Sequence, residues 1–462
     1  MKLKSLLLGS VAAVGLSTTA FAADLSTVVS SFDVCEDLGI SGTLQIASTD
    51  DCLQISGEVK YEFIWGDFAG SANITDPVSF NNARRTIDDN NDSGVAAENM
   101  DWQNDLDWWL MFVGSASSEF GTAKAVIKLS DWGDERDIVN EQPALAKDEL
   151  INTVQLDEAY VSVGDGTTLV AGKRDTSVLK DGDDTPFGFI GLFNSDAVDS
   201  GVGVLDGVLD IKTKGRVIQL YHAVGDSGVT LSGGLEALDD VTVIAGTYAA
   251  AGTAIGTIAY AAPDGALNGY MSFAAGGFLD GTIEDWLARG AATATFDNFK
   301  VRGAFAYGSD DNGATTAWNG LVTAEGTFDI FTLAAAAEFA DRSDVANDPM
   351  WGASLTGSAA VTDQVTIQAG FRYLNPTTAA DDETWQAALK LIAKLTDTLT
   401  ATGEVGYYAV GTAIPATNAD GTFYGKAELA WKPGGQFETS IAGEMNSLGA
   451  YKTTFKASKK FD

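Results

Sequence analysis

Between Leu53 and Trp65 the chain reads LQISGEVKYEFIW. Leu53, Ile55, Gly57, Val59, Tyr61, Phe63 and Trp65 fall on one side of an extended backbone. Gln54, Ser56, Glu58, Lys60 and Glu62 fall on the other, with Ile64 the one exception. A period of two with one oily and one charged face specifies a β-strand. Aromatics gather at one end of the oily face, as in a strand that crosses a membrane as part of a barrel.

The pattern recurs. Phe299, Val301, Gly303, Phe305 and Tyr307 oppose Lys300, Arg302, Ala304 and Ala306. Val365, Ile367, Ala369, Phe371 and Tyr373 oppose Thr366, Gln368, Gly370 and Arg372. Leu399–Tyr407 and Phe423–Trp431 alternate in the same way. Charges confined to one face, strand after strand, mean that this face is wet. A soluble sandwich shows the same local pattern, but its apolar sets would close one dry core. Short turns at Asp297-Asn298, Asp329, Thr362-Asp363, Thr396-Asp397 and Pro433-Gly434-Gly435 alternate with longer polar segments at 308–316, 341–349, 375–383 and 409–421. Short turns at one rim and long loops at the other are expected of an outer-membrane barrel. The fold class is therefore all-β: a transmembrane antiparallel β-barrel with an even strand number between 16 and 20, both termini at the periplasmic rim.

Two segments compete with that reading. Val241–Ala262 has no charged residue and is long enough to span a bilayer as a helix. Its threonines, glycines and β-branched residues suit two strands joined by a turn near Ala251-Gly252. Residues 387–395, AALKLIAKL, could form an amphipathic helix. As a strand they place Leu389, Leu391, Ala393 and Leu395 towards lipid and Lys390 and Lys394 towards the lumen.

The chain opens with Lys2 and Lys4, an apolar run from Ser5 to Leu16, and Ala20-Phe21-Ala22. This is the layout of a secretory signal peptide cut after Ala22. The expected organisation is residues 1–22 signal peptide, 23–52 periplasmic N-terminal segment, and 53–462 barrel. Cys35 and Cys52 are the two cysteines of the chain. An even, small number of cysteines in an exported protein suggests a disulfide. Two thiols and one distant histidine do not make a zinc site, so no metal and no cofactor is expected.

Acids exceed bases 64 to 28, for a net charge of −36. That excludes nucleic acid as a partner, which needs a basic surface. Acid clusters such as 87–92 and 181–184 read as solvated loops, or as a field that gathers cations at a pore mouth. Catalysis has little basis: His222 is the single histidine, the Gly-rich stretches lack phosphate-loop spacing, and no catalytic residue is assigned.

Three stretches resemble the alphaproteobacterial outer-membrane porins: VCEDLG to DDCLQISGEVKYEF at 34–63, QLDEAYVSVG with TLVAGKRDTS at 155–177, and LDGTIEDWLARGAATATFDNFKVRGAFAYGS at 279–309. The chain departs from the family in the residues between its cysteines, in its length, and in ending on Asp462 after the aromatic Phe461. The resemblance implies a homotrimeric, water-filled, general diffusion pore with an inward-folded third loop. It implies outer-membrane lipid and the outer-membrane assembly machinery as partners, and small hydrophilic solutes and ions as cargo.

Residues 175–212 fall where that constriction loop would lie. They carry Asp175, Asp181, Asp183, Asp184, Asp196 and Asp199 around an apolar middle, 186–190. Candidate pore-wall bases opposing them are Lys60, Arg174, Arg216, Lys300, Arg302 and Arg372. Opposed charges would set up a transverse field, and the acid excess favours cations. A substrate-selective channel, for example for sugars, and a non-channel surface β protein are the alternatives. Sequencing the exported chain from its N-terminus is expected to begin at Ala23; retention of Met1 would remove the export argument.

Overall fold

A computed structural model describes residues 44–45, 52–68, 101–131, 154–180, 211–239, 241–244, 247–250, 252–310, 315–343, 350–375, 384–414, 419–447 and 449–461. The strands are β1 (Leu44–Gln45), β2 (Cys52–Asp67), β3 (Asp101–Ser118), β4 (Gly121–Asp131), β5 (Gln155–Val163), β6 (Thr167–Arg174), β7 (Gly215–Ala223), β8 (Val229–Glu236), β9 (Val241–Ile244) and β10 (Thr247–Ala250). They continue as β11 (Thr253–Ala261), β12 (Leu267–Ala275), β13 (Trp286–Phe296), β14 (Phe299–Asp310), β15 (Thr315–Phe328), β16 (Phe331–Arg342) and β17 (Met350–Thr362). The last are β18 (Val365–Asn375), β19 (Thr384–Lys394), β20 (Leu399–Ile414), β21 (Ala419–Gly434), β22 (Phe437–Asn446) and β23 (Tyr451–Phe461).

Each wall strand pairs antiparallel with its sequence neighbour, and β8 pairs with β11 across the β9–β10 hairpin. The ring closes where β23 pairs with β2, from Gly57↔Phe461 to Asp67↔Tyr451. The wall is thus a closed barrel of twenty strands, the top of the range expected from sequence. Strands about 4.8 Å apart and tilted about 40° make such a ring roughly 40 Å across between backbones. Both ends of the wall, Cys52 and Phe461, lie at the rim of the short turns, as an even strand number requires.

Register settles which face is which. Val322 is 61% exposed and its neighbour Thr323 is 0%; Phe371 is 47% exposed and Arg372 is 1%. Along the wall the large apolar side chains point outwards and the polar ones point in, the reverse of a soluble protein. Leaving each such Val, Leu, Ile or Phe in water would cost about 1.5–3 kcal/mol, so the exterior demands lipid.

Outward aromatics form two belts. At the long-loop rim Trp286 packs on Tyr307 (5.3 Å between centroids), Trp385 on Tyr407 (5.2 Å), and Tyr407 on Phe423 (4.6 Å). At the short-turn rim Phe299 meets Phe328 at 5.5 Å and Trp431 meets Phe437 at 6.4 Å. The Phe299–Tyr307 separation, at about 3.3 Å per residue and a tilt of about 40°, is roughly 20 Å along the barrel axis. That is close to the apolar band of about 25 Å that such barrels present to a membrane.

The ambiguous segments resolve by pairing. Residues 384–394 are strand β19, with Leu389 and Leu391 exposed outwards. The uncharged run splits differently from expectation: β9 and β10 pair with each other, and only β11 joins the wall. Two of the longer segments also shrink. Cross-strand pairs Asp310↔Thr315 and Ile414↔Ala419 carry the hairpins on to connections at 311–314 and 415–418, because paired backbone is more favourable than solvated loop. The tight turns rely on left-handed aspartates, Asp297 (φ 48°) and Asp329 (φ 55°), a conformation Asp tolerates.

The closing seam has a packing requirement. A Cβ at Gly57 would come within 2.5 Å of the Phe461 ring and 2.8 Å of the Trp109 carbonyl oxygen. Phe461 lies over that bare backbone as the final aromatic of the wall. Gly57→Val should cost about 1–3 kcal/mol and lower the temperature at which the folded barrel survives detergent electrophoresis. Gly403→Ala, where nothing lies within 4 Å, should leave that temperature unchanged.

Candidate pore lining

Inward positions carry ionisable groups on most wall strands. On β19 to β23 they fall in register: Lys390↔Glu404, Glu404↔Lys426, Lys426↔Glu444 and Glu444↔Lys452. Directly opposed residues share a face, so this is one ladder of alternating charge across five strands. Lys390 reaches Glu404 at 3.7 Å, and Lys452 reaches Glu444 at 3.7 Å. Both glutamate side chains are 7% exposed and both lysines 29%. The acids are withdrawn and the ammonium groups face the lumen.

The pattern continues around the seam. Lys460 lies 3.8 Å and Lys60 3.9 Å from Glu58, which also accepts from Trp109 Nε1 at 3.2 Å. Lys456 pairs with Glu62, and Lys60 stands opposite Asp107. A cavity of about 510 Å³ opens here, its walls including Lys60, Glu62, Asp105, Asp107 and Lys456. On β4 and β5 a bulge opposite Lys128 turns both Asp157 and Glu158 inwards. Lys128 bonds Asp157 at 2.5 Å and lies 5.8 Å above the Trp109 ring.

The candidate wall bases separate into three kinds. Lys60 and Lys300 face the lumen, Lys300 opposite Glu325. Arg302 and Arg372 also face inwards but are buried. Arg302 Nε donates to Thr293 at 3.0 Å, and Arg372 to Gln386 at 3.4 Å. Gln386 continues to Tyr424 (2.9 Å), which donates to Glu404 (3.1 Å), so Arg372 is wired to the ladder. Arg174 points inwards, between the rings of Tyr160 and Tyr221 at 5.3 and 5.6 Å. Its guanidinium donates to Gln219 Oε1 at 2.6 Å.

Arg216 differs from expectation. It stands opposite Lys173 and shares the outward face of Ile218 and Leu220, both exposed, so it belongs to the outer rim. The strand's parity decides this, and the muddled alternation of RVIQLYHAVG concealed it. His222 lies on that same outer face, with Thr167 Oγ1 at 2.7 Å from its Nδ1. Arg289, an inward base on β13, was not singled out from sequence. Neither were Glu236 and Glu444, whereas the alternation of Leu399–Tyr407 already places Glu404 on the wet face.

Of the expected constriction acids, Asp175 is described: its carboxylate lies 3.5 Å from Lys214 Nζ and its amide donates to Glu158 at 3.0 Å. Asp181, Asp183, Asp184, Asp196 and Asp199 lie outside the described residues, as does Cys35. Cys52 is buried, and no described cysteine is free. Among the described residues no cluster of His, Cys, Asp or Glu could hold a metal ion.

The described legs of the 175–214 connection run along the inside of the wall. Val178, Leu179 and Ile211 pack on inward Ile255 and Ala274. Leu179 and Ile211 also rest on a dry floor of Tyr270, Leu287, Ala291, Ala304, Ala306 and Leu321. Small inward residues on β13 to β16 leave room for these legs.

No protein-family model and no curated protein matches the sequence. Among solved structures the chain is similar to an anion-selective porin from Comamonas acidovorans, at 12% identity over 89% of this chain and 100% of that one, with a TM-score of 0.39. It is similar to the outer-membrane channel DcaP of Acinetobacter baumannii, at 10% identity over 90% and 99%, TM-score 0.35. A mutant of the Rh. blastica porin aligns at 12% identity over 88% and 100%, TM-score 0.36. No residue role is carried over from them.

If the ladder borders the ion path, replacing Lys390, Lys426 and Lys452 together by Met should shift reversal potentials in asymmetric KCl towards cations. An unchanged potential would place the ladder off the path.

Proposed function

We propose that the chain is an outer-membrane porin: a passive, water-filled channel for small hydrophilic solutes and ions. The observation that carries this reading is the closed wall with lipid-suited side chains outside and ionised ones inside. An ionised inner face needs water, and a ring of this size has room for it. The aromatic belts fit a membrane of ordinary thickness, and the signal-peptide layout with asymmetric turns directs the barrel to the outer membrane.

The resemblance to alphaproteobacterial porins supports a homotrimer, and the two cysteines support a Cys35–Cys52 disulfide beneath the first wall strand. The barrel supplies a reason for passive transport rather than catalysis: the one histidine lies on the outer face, away from the lumen. A sugar-selective channel would profit from a ladder of aromatics inside. The described inward aromatics, such as Tyr160, Tyr221 and Tyr424, are instead occupied with arginine, glutamine and glutamate partners.

Cation preference is proposed from the acid excess, which is concentrated in the connections more than on the inner wall. A loop-borne field gathers cations at the mouth, whereas the lysine-faced ladder opposes them deeper in the lumen. The full-length protein in planar bilayers should give steady conductance steps, with reversal potentials in asymmetric KCl on the cation side. Absence of steps would sink the channel reading; anion preference would sink the selectivity alone. Replacing Asp181, Asp183 and Asp184 together by Asn should lower cation selectivity, and unchanged selectivity would remove them from the constriction.

A further inference from the structure

Glu236 is the last residue of β8, faces inwards, and is 0% exposed. Four donors converge on its carboxylate. Val178 N and Gln219 Nε2 donate to Oε1 at 2.7 and 2.8 Å. Ser177 Oγ and Lys214 N donate to Oε2 at 2.6 and 2.8 Å. Two of these come from the outgoing leg of the 175–214 connection and one from the returning leg. The fourth belongs to the wall strand β7.

The surroundings reinforce the same junction. Gln219 Nε2 also donates to Thr176 O at 2.9 Å, and its Oε1 accepts from Arg174 at 2.6 Å. The amide thus links the half-buried Arg174 cation to the buried anion, which lowers the penalty of enclosing the carboxylate. Thr257 Oγ1 donates to Val178 O at 2.8 Å, Lys180 N to Ser272 Oγ at 3.3 Å, and Thr253 Oγ1 to Lys212 O at 2.6 Å. The backbone is shaped for the clamp: Lys214 (φ 66°) and Gly215 (φ 69°) are consecutive left-handed residues, and they aim the Lys214 amide at Glu236.

We propose that Glu236 is the positioning residue of this channel. Its carboxylate holds the two legs at 175–180 and 211–214 on the inner wall and so fixes how much of the lumen those legs occupy. Only an acceptor on both oxygens satisfies the site. Glutamine has the same shape but must turn an N–H towards two donors, leaving buried groups unpaired. Arg174, which sequence reading placed among the solute-facing bases, serves the clamp through Gln219. The proposal rests on the reading of the chain as a pore.

The test compares full-length wild type, Glu236→Gln and Glu236→Asp in planar bilayers, after each is shown to be folded by its heat-resistant mobility in detergent. Glu236→Gln should alter single-channel conductance and add open-channel noise, because one or both legs are released. Glu236→Asp keeps both acceptors and should recover part of the wild-type trace. If Glu236→Gln does not assemble, the double variant Ser177→Ala with Thr257→Val decides. It removes the two wall-to-leg hydrogen bonds Ser177–Glu236 and Thr257–Val178, with the Leu179–Ser177 and Thr257–Ser272 bonds beside them, touches no strand-to-strand backbone pair, and should shift conductance and noise in the same direction. Folded variants with wild-type conductance and noise would overturn the clamp. A wild type that does not conduct would instead overturn the pore reading.

Discussion

In hydrocarbon a backbone N–H or C=O without a partner costs several kcal/mol, and no water is at hand to supply one. The pairing of β23 with β2 answers that constraint. Without it, both strands would face lipid with open edges, and the remaining wall could not be a stable membrane element. Closure then dictates much else. It needs an even number of antiparallel strands to return the chain to the rim where it began, and it brings Phe461 across the bare Gly57 backbone.

Once the ring is closed, its two faces meet different solvents, and strand parity becomes a chemical sorting rule. Val322 outside and Thr323 inside are neighbours in sequence, yet their environments are opposite. Inside, charges can be kept because they are hydrated or paired. The Lys390–Glu404–Lys426–Glu444–Lys452 row needs neighbouring strands in fixed register, and a slip of one residue would send every member to lipid. A buried or half-buried ion pair adds little stability by itself. The row therefore bears more on the potential inside the lumen than on the strength of the wall.

The inner face is not uniform. From β11 to β16 it carries a dry floor of alanine, leucine and tyrosine, and Leu179 and Ile211 pack on it. Beside that floor, Glu236 gathers both legs of one long connection. Without these contacts the two described legs would have no hold on the inner wall. Apolar contact fixes where the legs lie, and the carboxylate fixes their orientation, since hydrogen bonds are directional and apolar contact is not.

The sequence by itself determined the fold class, the two-faced strands, most of the tight turns and the outward set of residues. Each of these follows from a local period of two and from turn residues a few positions apart. Lys60, Lys300, Arg302 and Arg372 lie on the face that the clean alternation of their strands marks as wet. The sequence misplaced Arg216, because β7 has apolar residues on both faces near its middle, Val217 inside and Ile218 outside. Only the tertiary structure decided the strand count, the separate β9–β10 hairpin, the service of Arg174 to Gln219 and the convergence on Glu236. Those depend on residues such as Ser177, Lys214 and Glu236, far apart in the chain, meeting across the barrel wall, and no local period encodes such a meeting.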